Sequence, residues 1–215
     1  MRRTVLVLNK LLHPPRLKPD ATSGTVHQVG SDAEAMEHRT PLQEATLRLP
    51  WLMVTMLIEL CAGFVVSRFG DVLKQVILLA SFMPVISAIS GNVGLQAAAI
   101  IVRALDTGQI RPRDWARSLL KELSATLLMA LACGVTLGSV GIAWSHHWTF
   151  GLVVGAAMCC SMLTAGCLGT IIPICSKRLG FDPAATAGPF ETAFQDVVGF
   201  GACLWLASVM LKYLH

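Results

Sequence analysis

From Leu49 to Leu211 the sequence is a succession of apolar runs, each near the ~20 residues that an α-helix needs to cross the hydrocarbon of a bilayer. In lipid every backbone N–H and C=O must find its partner within the protein, so runs of this length fold as helices and not as open sheets. Composition agrees: hydrophobic residues make up 54% and charged residues 14%, against about a quarter charged in a soluble domain. The expected fold class is all-α, a five-span transmembrane helical bundle over residues 47–215. The spans fall at roughly 50–68, 74–105, 117–144, 149–175 and 188–213, joined by short connections.

Residues 1–46 read differently. They are polar, of mixed charge and broken by Pro14, Pro15, Pro19 and Pro41, which suits a flexible or weakly helical cytosolic arm. A short helix from Ser31 to Glu44 fits within it, with Ser31 capping and Glu34 three residues on. The opening MRRTVLVLNKLLHPPRLK has an apolar stretch interrupted by Asn9 and Lys10 and no small-residue cleavage site, so the first span is expected to act as its own insertion signal.

Basic residues set the orientation. Of the 17 Lys and Arg, all but Arg68, Lys74 and Lys212 lie in the N-terminal stretch through Arg48, in the connection between spans two and three (Arg103 to Lys121), or at Lys177 and Arg178. Because basic loops stay on the cytoplasmic side, the N-terminus is expected inside and the C-terminus outside, in the cell inner membrane. An odd number of spans follows, and the net charge of +4 needs no nucleic-acid partner.

Seven cysteines, nearly all of them inside apolar runs, show neither a disulfide framework nor a CxxC pair, and read as small hydrophobes. Gly134-x-x-x-Gly138 and Gly151-x-x-x-Gly155 read as helix-packing faces. His146 and His147 fall in a short external turn flanked by Trp144 and Trp148, better suited to a wet interface than to a metal. No nucleophile elbow, phosphate loop or HExxH pattern is present, so an enzyme is not expected.

Ionisable groups inside spans are costly and default to functional candidates. Glu59 lies in the first span and Asp196 in the fifth, with Thr192 four residues before Asp196 on the same helix face and Gln195 adjacent. No Lys or Arg lies deep in any span to neutralise these acids. A cation is one answer to that deficit; a protonated Asp196 bonded to a neighbouring helix is the other. Glu59 suits a water-filled crevice or a partner subunit as well as a pore, and Glu191 suits a solvated position near the span's cytosolic start as well as the pore. The passage from Pro84 through Gly91-Asn92-Val93-Gly94 to Gln96 predicts a broken second span whose freed carbonyls face a pathway, although glycines there serve close packing equally well. The fifth span, opening with Gly188-Pro189, supplies the second half of such a pair. Hard cations take oxygen ligands, and Mg²⁺ keeps much of its water.

Four passages together resemble the MgtE family of magnesium channels and transporters, over about residues 47–213. They are Arg48-Leu-Pro-Trp51-Leu; Pro84 with Gly91-Asn-Val-Gly94-Leu-Gln96 and Arg103-Ala-Leu-Asp-Thr-Gly108; Pro173 ending span four; and Asp182-Pro183 with Gly188-Pro-Phe-Glu-Thr192-Ala-Phe-Gln-Asp196. The resemblance implies a homodimer in membrane lipid, with a pore along the subunit interface and Mg²⁺ as the bound and transported ion. It implies metal contacts at Asp196 and near Thr192, lined by Gly91 and Gly94 with Asn92 in support; Glu59, Glu191, Gln96 and Gly188 are candidates for pore lining or coupling. The family's N-domain and paired CBS modules have no counterpart in the 46 residues before span one, so gating by them is not expected. Where many relatives carry an apolar or small residue, this chain has Glu191, whose charge would raise cation concentration at the mouth. The alternatives are a broader divalent-cation pathway, a cation-coupled exchanger with Glu59 as the coupling group, or a non-conducting membrane scaffold.

Overall fold

A computed structural model describes residues 40–181 and 183–210. The chain falls into two units, up to Leu52 and from Met53 onward, and each is taken by itself. In the first unit a reciprocal cap starts helix α1 (Pro41–Arg68). Thr40 N–H donates to Gln43 Oε1 at 3.1 Å, and Gln43 N–H donates to Thr40 Oγ1 at 3.4 Å. This capping box, with Pro41 in the first helical position, places the helix start inside the segment expected as arm. The Ser31–Glu44 helix expected there lies mostly outside the described residues.

The second unit holds the bundle. A six-residue helix α2 (Gly70–Gln75) leads into α3 (Leu78–Asp106), then a short 3-10 turn (Pro112–Asp114), α4 (Trp115–Ser145), α5 (Trp148–Leu179) and α6 (Pro183–Val209). No strand occurs among the described residues, and the protein is an all-α membrane bundle. Four described helices are long and apolar enough to cross a bilayer: α3, α4, α5 and the Phe190–Val209 part of α6. The expectation of five spans turns on α1, whose 28 residues include Glu44, Arg48, Glu59 and Arg68.

Three expectations about helix breaks are corrected. Pro84 and the Gly91–Gly94 passage do not interrupt the second span: α3 runs unbroken for 29 residues, and the break falls earlier, at Val76–Ile77. Pro173 lies inside α5, which ends instead at Gly180, in the left-handed region (φ 79°). There the N–H of Phe181 bonds back to Ser176 O at 2.9 Å, a glycine-terminated cap. The last helix opens at Pro183, so Gly188 and Pro189 lie within it. Proline is tolerated inside membrane helices because neighbouring groups re-satisfy the backbone it frees.

Helix α5 is central and packs against α3, α4 and α6. Leu79, Phe82 and Ile86 of α3, Val153, Val154, Met158 and Met162 of α5 and Leu204 of α6 fill the interior. Helix α4 buries only a stripe of small residues, Thr126, Ala130, Gly134, Gly138 and Gly141, against α5. Lipid tails are as apolar as leucine, so close contact and not water exclusion holds such helices together. The two GxxxG pairs supply it. A Cβ at Gly138 would sit 2.8 Å from Gly151 O, and one at Gly134 would sit 2.9 Å from Gly155 O. A two-residue turn, with His146 left-handed at φ 60°, closes this hairpin. All seven cysteines are free thiols. Asp106 at the end of α3 pairs with Lys177 at the end of α5 at 3.5 Å, so these basic helix ends share one face of the bundle.

Candidate cation site

The candidate residues gather where α3 meets α6. Asp196 is half-buried, and its Oδ1 accepts a hydrogen bond from Ser87 Oγ of α3 at 2.6 Å. One turn earlier, Thr192 Oγ1 lies 3.2 Å from Gly188 O and 3.4 Å from Glu191 Oε2, either of which can take its proton. Glu59 of α1 is half-buried, near enough for its charge to interact with that of Asp196, and Asp196 also reaches Glu191. The ion pairs among the described residues are Lys74–Asp71 and Lys177–Asp106, and neither involves these three acids.

Of the two positions expected for Glu191, the solvated one is corrected. Glu191 is fully buried, at 0% exposure, and does not stand at a solvated mouth. Gly94 makes this fit: its missing Cβ leaves the space that the Glu191 carboxylate fills. Gly94 also presses its carbonyl against Gly169 of α5, so one glycine serves two close approaches. One turn further along α6, Gln195 is buried with its Nε2 donating to Ser90 Oγ and Ser161 Oγ, both at 2.7 Å. The two hydroxyls lie 2.8 Å apart, and Ser90 also donates to the Ile86 carbonyl. This brace ties α3, α5 and α6 together one residue from Asp196. Glu191 Oε1 and Gln195 Oε1 are buried without a hydrogen-bond partner.

Of the expected site residues, Asp196, Thr192, Glu191, Gly91, Gly94 and Gly188 come together at this contact. Gly91 faces Gln195 Oε1, and Gly188 faces Leu95. Asn92 and Gln96 do not join them: both are exposed on the outer face of α3. The carbonyls of the glycine passage stay within a continuous helix, so no unwound backbone lines a path there. Sequence reasoning missed Ser87, Ser90 and Ser161. The available signal was polar side chains at helical spacing inside apolar runs, with Ser87 and Ser90 three apart on one face.

Among the described residues no group of three or more His, Cys, Asp or Glu is gathered closely enough to hold a metal ion. At this contact Asp196 is a carboxylate with the Ser87 hydroxyl bonded to it. The class so defined is an integral membrane helical bundle with an acidic, oxygen-rich intramembrane site. The sequence model of the MgtE family, described as divalent cation transporter, matches residues 83–206. The chain is 34% identical over 166 residues to the magnesium transporter MgtE of Thermus thermophilus, 32% over 167 to that of Bacillus subtilis and 30% over 194 to that of Enterococcus faecalis. It belongs to the MgtE family, a family of ion transporters and not of enzymes. These matches take in 77%, 78% and 90% of this chain but 36%, 37% and 43% of the relatives, so the chain spans about two fifths of their length.

Proposed function

We propose that this protein carries a divalent cation, Mg²⁺ first, across the cell membrane as a channel or transporter, with Asp196 attracting and orienting a largely hydrated ion. The observation that carries the reading is Asp196 itself: a carboxylate in an apolar helix, bonded to Ser87 and in none of the described ion pairs. Such a group is costly in a bilayer unless a cation or water faces it. Membership of the MgtE family and three relatives named as magnesium transporters support Mg²⁺ as the ion.

Two copies of the chain form the working unit in this reading. The exposed amides of Asn92 and Gln96 would be poorly accommodated by lipid and are answered by the same face of a second subunit, with the path between them. Helix α1 is then the fifth span, because Leu49–Val66 carries Glu59 as its one charge. Five spans put the N-terminus and the basic face in the cytoplasm, and the C-terminus outside.

The test is Mg²⁺ uptake into proteoliposomes. Asp196→Ala is expected to lower the flux by about tenfold or more, as loss of ~1.4 kcal/mol of ion interaction requires, while the protein still elutes as a dimer. Undiminished flux would sink the assignment. The nearness of Glu59 to Asp196 favours one second reading, cation-coupled exchange. Flux that needs a proton or Na⁺ gradient and fails in Glu59→Gln would move the protein there; absence of any divalent flux would leave a scaffold.

A further inference from the structure

Hydroxyls inside helices default to a carbonyl of their own helix three or four residues back, and those of Ser90, Thr136, Ser139, Thr164 and Thr170 follow that rule. The Ser87 hydroxyl does not. It crosses from α3 to α6 and donates to Asp196 Oδ1 at 2.6 Å, so its single proton is committed to the carboxylate. The register of the two helices imposes this pairing. Gly188 faces Leu95, Glu191 fills the space beside Gly94, Gln195 bonds Ser90, and Asp196 bonds Ser87. Numbers rise along α6 as they fall along α3, an antiparallel ladder held by the buried Gln195 amide. Its Ser87–Asp196 rung is only half-buried, so it lies where the interior gives way to an accessible surface.

The pairing divides the carboxylate. Oδ1 accepts the Ser87 proton, whereas Oδ2 has no hydrogen bond among the described residues and is not sealed inside as Glu191 Oε1 and Gln195 Oε1 are. An unrestrained Asp carboxylate turns broadly about its last bond and can offer both oxygens to one ion. Held at Oδ1, it presents one unencumbered oxygen. Cations differ in how much this matters. Ca²⁺ takes carboxylates through one oxygen or two in a flexible shell, while Mg²⁺ demands near-octahedral geometry and keeps several waters.

We infer that Ser87 is a positioning residue that sets the ion preference of Asp196: by holding Oδ1 it disfavours two-oxygen binding of Ca²⁺ and leaves Oδ2 to Mg²⁺ or to one of its waters. The inference rests on the reading of Asp196 as the ion's carboxylate. The test measures Mg²⁺ uptake by proteoliposomes of the full chain with Ca²⁺ as competitor. In parallel, the rise in unfolding midpoint that each ion alone gives the detergent-solubilised protein reports binding without flux. In Ser87→Ala, Ca²⁺ is expected to compete at about tenfold lower concentration relative to Mg²⁺, the order of one hydrogen bond to a charged group. Its stabilising effect should rise against that of Mg²⁺ in the same variant. Ser87→Thr, which keeps the hydroxyl, should restore the wild-type ratio. A role in packing alone would lower midpoint or flux for both ions together and leave the ratio unchanged. That outcome, or a Thr variant that behaves as the Ala variant does, overturns the inference. Asp196→Ala separates it from the reading on which it rests. If both ions lose their effects in Asp196→Ala while Ser87→Ala keeps the wild-type ratio, the Ser87 role alone falls; if Asp196→Ala keeps both effects, the site falls with it.

Discussion

The α4–α5 hairpin and the α3–α6 contact both depend on glycine, for different reasons. In the hairpin, Gly134, Gly138, Gly151 and Gly155 let backbone touch backbone, with the Cys159 thiol beside them donating to Ala130 O at 3.1 Å. At α3–α6, Gly91 and Gly94 leave room for side chains, the Gln195 amide and the Glu191 carboxylate. The first arrangement joins two helices; the second stores polar atoms inside a membrane protein, next to Asp196. A glycine in a span thus means close packing or housing for a functional group, and only the atom facing it tells which.

That contrast can be broken experimentally, and the largest effect is expected in the hairpin. Gly138→Leu should destabilise the protein by roughly 3 kcal/mol or more, the upper range for overpacking, because the facing atoms are backbone and cannot move aside. Denaturation in detergent would measure it, and no single change on α5 should rescue it. Gly94→Ala should cost about 1–3 kcal/mol and differ in kind: Glu191→Ala in the same chain should recover most of the loss, since the overlap is with a side chain. Additive losses in the double variant would show that the Gly169 contact dominates.

Gln195→Leu should cost about 1–2 kcal/mol by removing two buried hydrogen bonds, a modest loss because Ser90 and Ser161 keep each other as partners. Its sharper signature is functional: if the brace positions Asp196, Mg²⁺ flux falls more than stability does. The smallest expected effect is a gain. His146→Gly should stabilise the turn by up to about 1 kcal/mol by relieving a left-handed conformation, visible as a higher unfolding midpoint.

Much of this architecture is readable from local pattern. Helix type, approximate span positions and the GxxxG pairing follow from apolar length and small-residue spacing, because both act within one or two helices. What escaped reading depends on neighbours. Pro84 and Pro173 look like helix ends, yet the surrounding bundle carries α3 and α5 through them. Position along α6 leaves Glu191 open to a solvated place or a buried one, and its burial is set by Gly94, some hundred residues away. Asn92 sits beside the correct glycines in sequence but a third of a helical turn away in space, on the outer face. The Thr40–Gln43 cap was visible as a Thr-Pro-x-Gln pattern and lay within a segment read as arm.

The backbone contact of the hairpin also has a mechanical consequence. Helices α4 and α5 touch through Cα and carbonyl atoms at Gly134, Gly138, Gly151 and Gly155, so rolling one against the other drives backbone onto backbone. Helices α4 and α5 therefore form a stiff strut. Between α6 and its neighbours the contacts at Gln195 run instead through side chains of Ser and Gln, which can exchange partners. The hairpin is one frame, and α6, which carries Asp196, is tied to α3 and α5 through the Gln195 side chain.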